Sequence, residues 1–99
     1  MVLEGIMLVT EHAKARSRQR GIPERLLHTI FSEADRCTPC GHGCLALEIS
    51  REKIREIRAS EGGDVERAMN VILVVSDAGS AVTVLRATSS KAARPYRTV

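Results

Sequence analysis

The sequence predicts an α+β fold in which helices pack on one side of a small antiparallel sheet, with elements in the order α-α-β-β-α-β-β. Two capped helical segments open the chain, a β-branched run predicts a central strand, and two glycine-containing turns predict hairpins. At 99 residues the chain makes one domain. We expect its core to lie within residues 10–88, with flexible ends at 1–9 and 89–99.

The first helix is predicted over residues 10–21. Thr10 is a suitable N-cap, and Gly21 is placed to end the helix at its C′ position. Its only apolar residues are Ala13 and Ala15, so this helix does not bury a broad apolar stripe. Its many charged side chains therefore need an explanation other than core packing.

The second helix is predicted over residues 22–34, with Pro23 in its first turn. One face of this helix is apolar and supplies the first core residues: Ile22, Leu26, Leu27, Ile30 and Phe31. Residues 35–49 then predict a hairpin whose tip is the sequence Gly-His-Gly.

The second half of the chain predicts one more helix and two strands. Ser50 is placed to cap a helix over 51–60, and a short helical continuation follows over 64–69. The run VILVV at 71–75 predicts a central strand that is covered on both faces. The segment 82–87 returns as its antiparallel neighbour.

Composition narrows the classes of function. The chain is 43% hydrophobic and 27% charged with a formal net charge of +3, which permits a phosphate-bearing partner without requiring one. Phe31 and Tyr96 are the only aromatic residues, so base stacking on an aromatic platform is disfavoured. The apolar opening is too short to span a membrane and lacks the features of an export signal. We therefore expect a cytoplasmic protein with no membrane partner, and its oligomeric state is left open.

Three side chains follow one flank of the first helix, because His12, Arg16 and Arg20 are spaced four residues apart. Two guanidiniums and an imidazole in a row are suited to binding phosphate or carboxylate. The alternative is a solvated helix face whose arginine stems cover the core while their charged ends pair with acidic residues. The acidic residues placed for such pairing are Glu24, Glu33 and Asp35.

The segment HAKARSRQRGIPERLL resembles the opening signature of a family of small bacterial proteins, domain of unknown function 4258. That signature runs His-Ala-x-x-Arg-x-x-x-Arg-Gly-Ile and is followed by a second helix. The closing segment ILVVSDAGSAVTVLRA is similar to the final hairpin of the family. The likeness covers residues 10–34 and 70–87, and the middle of the chain agrees only in the order of its elements.

The family is grouped by fold with the RelE/BrnT-like toxins, which are small ribonucleases that act on free or ribosome-bound RNA. The resemblance therefore implies a RelE/BrnT-like fold and a toxin-like domain of a toxin–antitoxin pair, which binds RNA or the ribosome. It also implies a candidate endoribonuclease activity that needs no metal. His12, Arg16, Arg20 and Gly21 match positions of the family pattern, and Arg86 matches it more loosely.

Metal-independent RNA cleavage needs a base for the 2′-hydroxyl, an acid for the leaving oxygen, and cations on the developing charge. The candidate catalytic residues are His12, Arg16, Arg20, Arg86 and Tyr96, with His12 as base or acid and the arginines holding the phosphate. Four further cations are candidates for nucleic-acid or anion binding: Lys14, Arg18, Arg94 and Arg97. No cofactor is expected for this chemistry.

All three cysteines lie in one short loop, CTPCGHGC. Cys37, Cys40, His42 and Cys44 match the four ligands of a tetrahedral zinc site. Structural zinc sites normally take two pairs of ligands from two separated turns, however, and here all four ligands fall in one stretch. Free thiols on a hairpin are the simpler interpretation, and a zinc site or a regulatory disulfide is kept as an alternative.

Three functions are compatible with these features. The first is a toxin-like domain that binds RNA. If this domain is an enzyme, it also cleaves the RNA. The second is a non-enzymatic interaction module of the same fold, which binds an acidic partner protein, such as an antitoxin, or nucleic acid through the arginine-rich face. The third is a metal- or redox-responsive regulator built on residues 37–44. The sequence leaves open whether the protein is an enzyme.

Overall fold

The structure, a computed structural model, describes residues 7–61 and 63–87. In chain order the elements of these ranges are β1 (Leu8–Val9), α1 (Glu11–Gln19), α2 (Glu24–Glu33), β2 (Arg36–Gly41), β3 (Cys44–Glu48), α3 (Arg51–Glu61), a 3-10 helix (Gly63–Ala68), β4 (Val71–Val75) and β5 (Ser80–Arg86). The helices and strands that the sequence predicts begin and end within about two residues of these bounds. None of the helices in the described ranges is long and apolar enough to cross a membrane.

The sheet has the strand order β1-β5-β4-β3-β2. β1 runs parallel to β5, pairing Leu8 with Ser80 and Val9 with Ala81, and the other neighbours are antiparallel. The predicted α+β class with helices on one side of the sheet is confirmed, but the sheet is mixed rather than antiparallel. The difference comes from β1, which is too short to show strand periodicity in the sequence. Met7, just before β1, is buried in the core.

The core lies between the helices and one face of the sheet. All five residues of β4 are buried, as the run VILVV predicts for a central strand. Val71, Leu73 and Val75 belong to the cluster on the helix side, while Ile72 and Val74 belong to a second cluster on the opposite face. The apolar face of α2 is buried as predicted, and burial of each large aliphatic side chain stabilises the fold by about 1.5–3 kcal/mol.

The opposite face of the sheet, which we call the outer face, carries this smaller apolar cluster. Its buried members are Ala46, Ile72, Val74 and Ala87, and its half-buried members are Cys40, Cys44, Val82 and Leu85. All of these residues lie in strands or directly after β5. Within the described ranges, no helix residue belongs to this cluster.

α1 is capped at both ends as the sequence predicts. Its N-cap residue Thr10 accepts a hydrogen bond on Oγ1 from a backbone N–H of the first turn at 3.1 Å. Its C-terminus is a Schellman motif, in which the Ile22 N–H donates to the Ser17 carbonyl at 2.9 Å and the Gly21 N–H donates to the Arg18 carbonyl at 3.2 Å. Gly21 has a φ of 64°, a left-handed conformation that glycine adopts without a steric cost.

Asp35 connects the end of α2 to the beginning of α3. Its carboxylate accepts one hydrogen bond from the Ser50 N–H at 2.7 Å and a second from the Ser50 hydroxyl at 2.5 Å. Ser50 Oγ in turn accepts a bond from the Lys53 N–H at 3.2 Å, which confirms Ser50 as the cap of α3. Burial raises the pKa of Asp35, but the two bonds from Ser50 lower it more, so this pKa lies below its usual value.

β2 and β3 form the predicted hairpin. His42 and Gly43 occupy its turn with φ values of 54° and 74°, the positive angles that two-residue hairpin turns require. β2 is the outermost strand on this side and contains Pro39. The pairing with β3 shifts register between Pro39 and Gly41, so the edge of the sheet is irregular here.

Candidate functional site

The candidate residues on α1 lie on the exposed side of the helix. His12 and Arg18 are exposed, and Lys14 Nζ lies 3.6 Å from the Glu11 carboxylate. Arg16 is half-buried, and its Nη1 donates to the side-chain oxygen of a glutamine three residues on at 3.4 Å. The helix buries only small residues against the sheet, so its long polar side chains point outward.

These side chains form a row rather than one pocket. With a rise of about 1.5 Å per residue, Arg20 lies about 12 Å beyond His12 along the helix axis. His12 and Arg16 are one turn apart and lie on the same flank. A phosphate bound by Arg16 is therefore within reach of His12, whereas Arg20 belongs to a second position at the other end of the helix.

At that second position, Arg20 and Arg86 meet. Nε of Arg20 donates to the carbonyl of Val84 in β5 at 3.1 Å. In return, Nε and Nη2 of Arg86 donate to the carbonyl of Arg20 at 3.4 and 3.3 Å. The fold thus brings together two of the predicted site residues that lie 66 positions apart in the chain.

Arg67, which is not among the site residues predicted from the sequence, completes this arrangement. Its Nη2 donates to the carbonyl of Gly21 at 3.2 Å, although the two residues are 46 positions apart. Arg67 lies in the last turn of the 3-10 helix, where a basic residue is common because it faces the terminal carbonyls. No signal in the sequence distinguishes it from the other arginines. We call Arg20, Arg67 and Arg86 the turn cluster.

Two of the three acidic residues that a solvated helix face would use are engaged elsewhere. A carboxylate oxygen of Glu33 lies 3.9 Å from Lys53 Nζ, and Asp35 binds Ser50. Among the side chains that the structure describes, which leave out those of residues 61–64, no carboxylate forms an ion pair with any member of the turn cluster. Three guanidiniums therefore share one region of the surface, and none of the described carboxylates forms an ion pair with them.

The cysteine hairpin places its thiols on two faces of the sheet. Cys40 and Cys44 belong to the outer-face cluster. Cys37 is exposed and pairs with Leu47, a residue of the helix-side core, and residues paired across two strands share a face. Burial raises the pKa of the Cys40 thiol, and the neighbouring Cys44 raises it further. His42 is exposed at the turn.

The positions of the hairpin side chains can be compared with the zinc site suggested by Cys37, Cys40, His42 and Cys44. Among the side chains described, which leave out those of residues 61–64, no group of three or more from His, Cys, Asp or Glu is arranged to hold a metal ion. The hairpin itself, with its two-residue turn, is the arrangement that the simpler interpretation of the loop predicts. The zinc and disulfide alternatives stay predictions.

A cavity of about 150 Å³ lies at the beginning of α3. Arg36, Glu48, Arg51 and Asn70 are among the residues that line it. It contains none of the residues that the sequence assigns to a site. The basic tail assigned to the site, with Arg94, Tyr96 and Arg97, lies outside the described residues, so the roles of those three residues stay predictions.

Comparisons of the chain with models of protein families, with curated proteins and with solved structures give no match. The resemblance to the domain of unknown function 4258 and to RelE/BrnT-like toxins therefore stays an expectation from the sequence. The function is therefore inferred from the positions and partners of the side chains described above.

Proposed function

We propose that this chain is a toxin-like domain that binds RNA, free or in the ribosome, through the basic face formed by α1 and the end of β5. The observation that carries the proposal is the pair of Arg20 and Arg86, which joins α1 to β5 and forms no ion pair with a carboxylate side chain that the structure describes. Guanidiniums without acidic partners attract phosphates, and their binding releases counterions from the nucleic acid. The resemblance to RelE-like toxins selects RNA among the polyanions.

His12 and Arg16 extend the proposal to cleavage. Arg16 holds a phosphate of the RNA, and His12, one turn away, removes the proton of the adjacent 2′-hydroxyl. The 2′-oxygen then attacks the phosphorus, the bond to the 5′-oxygen breaks, and that oxygen takes a proton from Tyr96. The products are a 2′,3′-cyclic phosphate and a 5′-hydroxyl end, and no metal takes part.

RNA binding is tested by fluorescence anisotropy with a labelled single-stranded RNA at several salt concentrations. We expect the logarithm of the affinity to fall linearly with the logarithm of the salt concentration. Arg16→Gln and Arg18→Gln each remove one phosphate contact. Each should therefore reduce the magnitude of this salt-dependence slope by about 0.7. Arg55→Gln is the matched control, because Arg55 is an exposed arginine on α3, outside the proposed face. Absence of binding at low salt, or an equal loss in the control, contradicts the proposal.

The toxin role is tested by growth of a bacterium after induced expression. We expect arrest with the wild-type protein and normal growth with a folded variant in which His12, Arg16 and Arg20 are all alanine. Normal growth with both proteins at matched soluble levels contradicts this role, and sequencing of the cellular RNA after arrest shows whether cleavage accompanies it.

A second candidate function rests on the same unneutralised cations. An acidic polypeptide, such as an antitoxin segment, fits the basic face as well as RNA does, and the domain is then an interaction module without catalysis. Polyglutamate of matched charge distinguishes the two functions in the anisotropy assay. If polyglutamate displaces the labelled RNA at equal charge concentration, the acidic-partner function is favoured. If RNA binds more tightly at every salt concentration, the RNA function is favoured.

A further inference from the structure

The turn between α1 and α2 exposes two consecutive carbonyl groups, and arginines from two distant elements hold them. Arg86 of β5 donates to the carbonyl of Arg20, and Arg67 of the 3-10 helix donates to the carbonyl of Gly21. The side chain of Arg20 lies on the Val84 carbonyl, two residues before Arg86. Two guanidiniums are thus attached to neighbouring carbonyls of one turn, and the third, that of Arg20, is attached to β5 close to Arg86.

We propose that the turn cluster is a binding site for a phosphate monoester. The proposal goes beyond RNA binding along α1, because it concerns one dianionic group at a single position that includes Arg67, a residue outside the proposed RNA-binding face. The ligand chemistry is a terminal phosphate, which either a 5′-phosphorylated RNA end or a free nucleotide can supply.

The hydrogen bonds already made leave the cluster with capacity for a ligand. A guanidinium carries five N–H donors. The backbone contacts use one donor of Arg20, one of Arg67 and two of Arg86, so most donors of each side chain remain for an anion. The forked geometry of these donors matches the oxygens of a phosphate.

The same hydrogen bonds position the guanidiniums before a ligand arrives. The Schellman motif fixes the turn, and the two carbonyls of the turn fix the ends of Arg67 and Arg86. An arginine that is held in place loses less side-chain freedom on binding than a freely rotating one. This arrangement distinguishes the turn cluster from Arg18 or Arg55, which are exposed and have no hydrogen bond of this kind.

The charge of the cluster favours a monoester over an internal diester. The second pKa of a phosphate monoester is about 6, so its charge at neutral pH is close to −2, whereas a diester in an RNA chain carries −1. Three positive charges that form no ion pair with a described carboxylate side chain attract the dianion more strongly than the monoanion. The site therefore selects terminal phosphates.

The first experiment is an NMR titration of the ¹⁵N-labelled protein with inorganic phosphate and with adenosine 5′-monophosphate. We expect saturable shifts of the backbone amide signals of Gly21 and Ile22, and a dissociation constant about tenfold higher in Arg67→Gln. Arg67→Lys, which keeps the charge but loses the fork, should fall between the two. Arg55→Gln is the control and should bind as the wild type does.

Arg67 is the residue to vary because it is exposed and contacts one carbonyl, so its loss leaves the α1–β5 contacts intact. Circular dichroism verifies that each variant is folded. Absence of saturable shifts near Gly21, or equal dissociation constants in Arg67→Gln and the wild type, overturns the proposal. RNA binding along α1 is measured separately, so that function survives or fails independently of this site.

A second experiment distinguishes the two sources of the phosphate. One oligoribonucleotide is compared with and without a 5′-phosphate in the wild type, in Arg67→Gln and in Arg55→Gln. If the 5′-phosphate increases affinity in the wild type and Arg55→Gln but not in Arg67→Gln, the ligand is an RNA end. If the two oligonucleotides bind equally while adenosine 5′-monophosphate saturates the site, the ligand is a free nucleotide.

Discussion

Arg20, at the end of α1, and Arg86, at the end of β5, each donate a side-chain hydrogen bond to the backbone of the segment that contains the other. Arg20 donates to the carbonyl of Val84, and Arg86 donates back to the carbonyl of Arg20. β1 pairs with β5 only at Ser80 and Ala81, so the later part of β5 lacks a strand neighbour on that side within the described residues. The two arginines therefore satisfy carbonyls at the end of a helix and at the edge of the sheet, and the same side chains carry the proposed ligand site.

This relationship predicts that the two side chains are energetically coupled. Arg20→Ala and Arg86→Ala should each lower the free energy of unfolding by about 1–2 kcal/mol, because each change removes bonds from a charged donor. The double variant should lose less than the sum, since either change weakens the same α1–β5 contact. Urea denaturation of the four proteins measures the coupling. Arg55→Ala, the control, should change stability by less than about 0.5 kcal/mol, and strictly additive losses would contradict the coupling.

Gly21 is predicted to be required for the end of α1. There is open space around the position of a Cβ atom, so Gly21→Ala introduces no clash, but the φ of 64° strains any side chain. We expect a loss of about 1–2 kcal/mol in the free energy of unfolding. Gly21→Asn should lose less, because asparagine tolerates the left-handed region better than alanine. Thermal unfolding of both variants gives the comparison, and an equal loss in the two would assign the effect to something other than backbone conformation.

Asp35 is predicted to make the free energy of unfolding depend on pH in the acidic range. Its pKa is lowered in the folded state from a reference of 3.8, so its contribution is fully present above about pH 4 and is lost as the pH falls through the folded pKa. Asp35→Asn should cost about 1–2 kcal/mol at neutral pH, because it weakens the bonds from Ser50. The difference between the variant and the wild type should shrink below about pH 4, as measured by urea denaturation across the pH range. Arg55→Gln, an exposed change on α3, is the control, and its difference from the wild type should not shrink in this way.

His12 is predicted to serve cleavage rather than binding. His12→Ala should leave the dissociation constant for RNA within about twofold, because the guanidiniums supply the phosphate contacts. Cleavage should fall by about a hundredfold or more, which is the usual loss when a general base is removed. The rate of cleavage is measured on denaturing gels with end-labelled RNA in the presence of a chelator. His28→Ala, an exposed histidine of α2, is the control, and a parallel loss in both variants would remove His12 from the mechanism.

The three cysteines are predicted to differ in reactivity. Cys37 is exposed, whereas burial raises the pKa of Cys40 and reduces its thiolate fraction at neutral pH. Iodoacetamide should therefore modify Cys37 first and Cys40 more slowly, as peptide mass spectrometry at successive times will show. Equal rates at the two positions would mean that the outer-face cluster opens to solvent. Added zinc that protects all three thiols together would favour the metal alternative.

Local patterns were sufficient for most of the fold. The cap at Thr10, the stop at Gly21, the apolar stripe of α2 and the strand at 71–75 are each encoded within one element, and all are confirmed. β1 was missed because a two-residue strand has no periodicity, and its pairing with β5 depends on residues about 70 positions away. The mixed character of the sheet follows from that one pairing.

The site was predictable only in part for the same reason. The helical spacing of His12 and Arg16 is a local property, and α1 places them on one flank as expected. Arg67 reaches the turn from another element, and no local pattern marks such an approach. The sequence also does not indicate which acidic residue pairs with which basic residue. Glu33 lies near Lys53 of α3, and Asp35 accepts a hydrogen bond from Ser50, the cap of α3, because tertiary packing brings these elements together.

Pro39 and the register shift beside it limit how this domain can meet other proteins. Among the described strands β2 is the outermost at one margin of the sheet, but its proline has no N–H to donate and its pairing with β3 shifts register directly after that proline. A visiting strand needs an unbroken run of backbone donors and acceptors to align with. These features favour partners that recognise this margin by shape and charge over partners that extend the sheet, and they disfavour the stacking of crowded copies of the domain into fibrils.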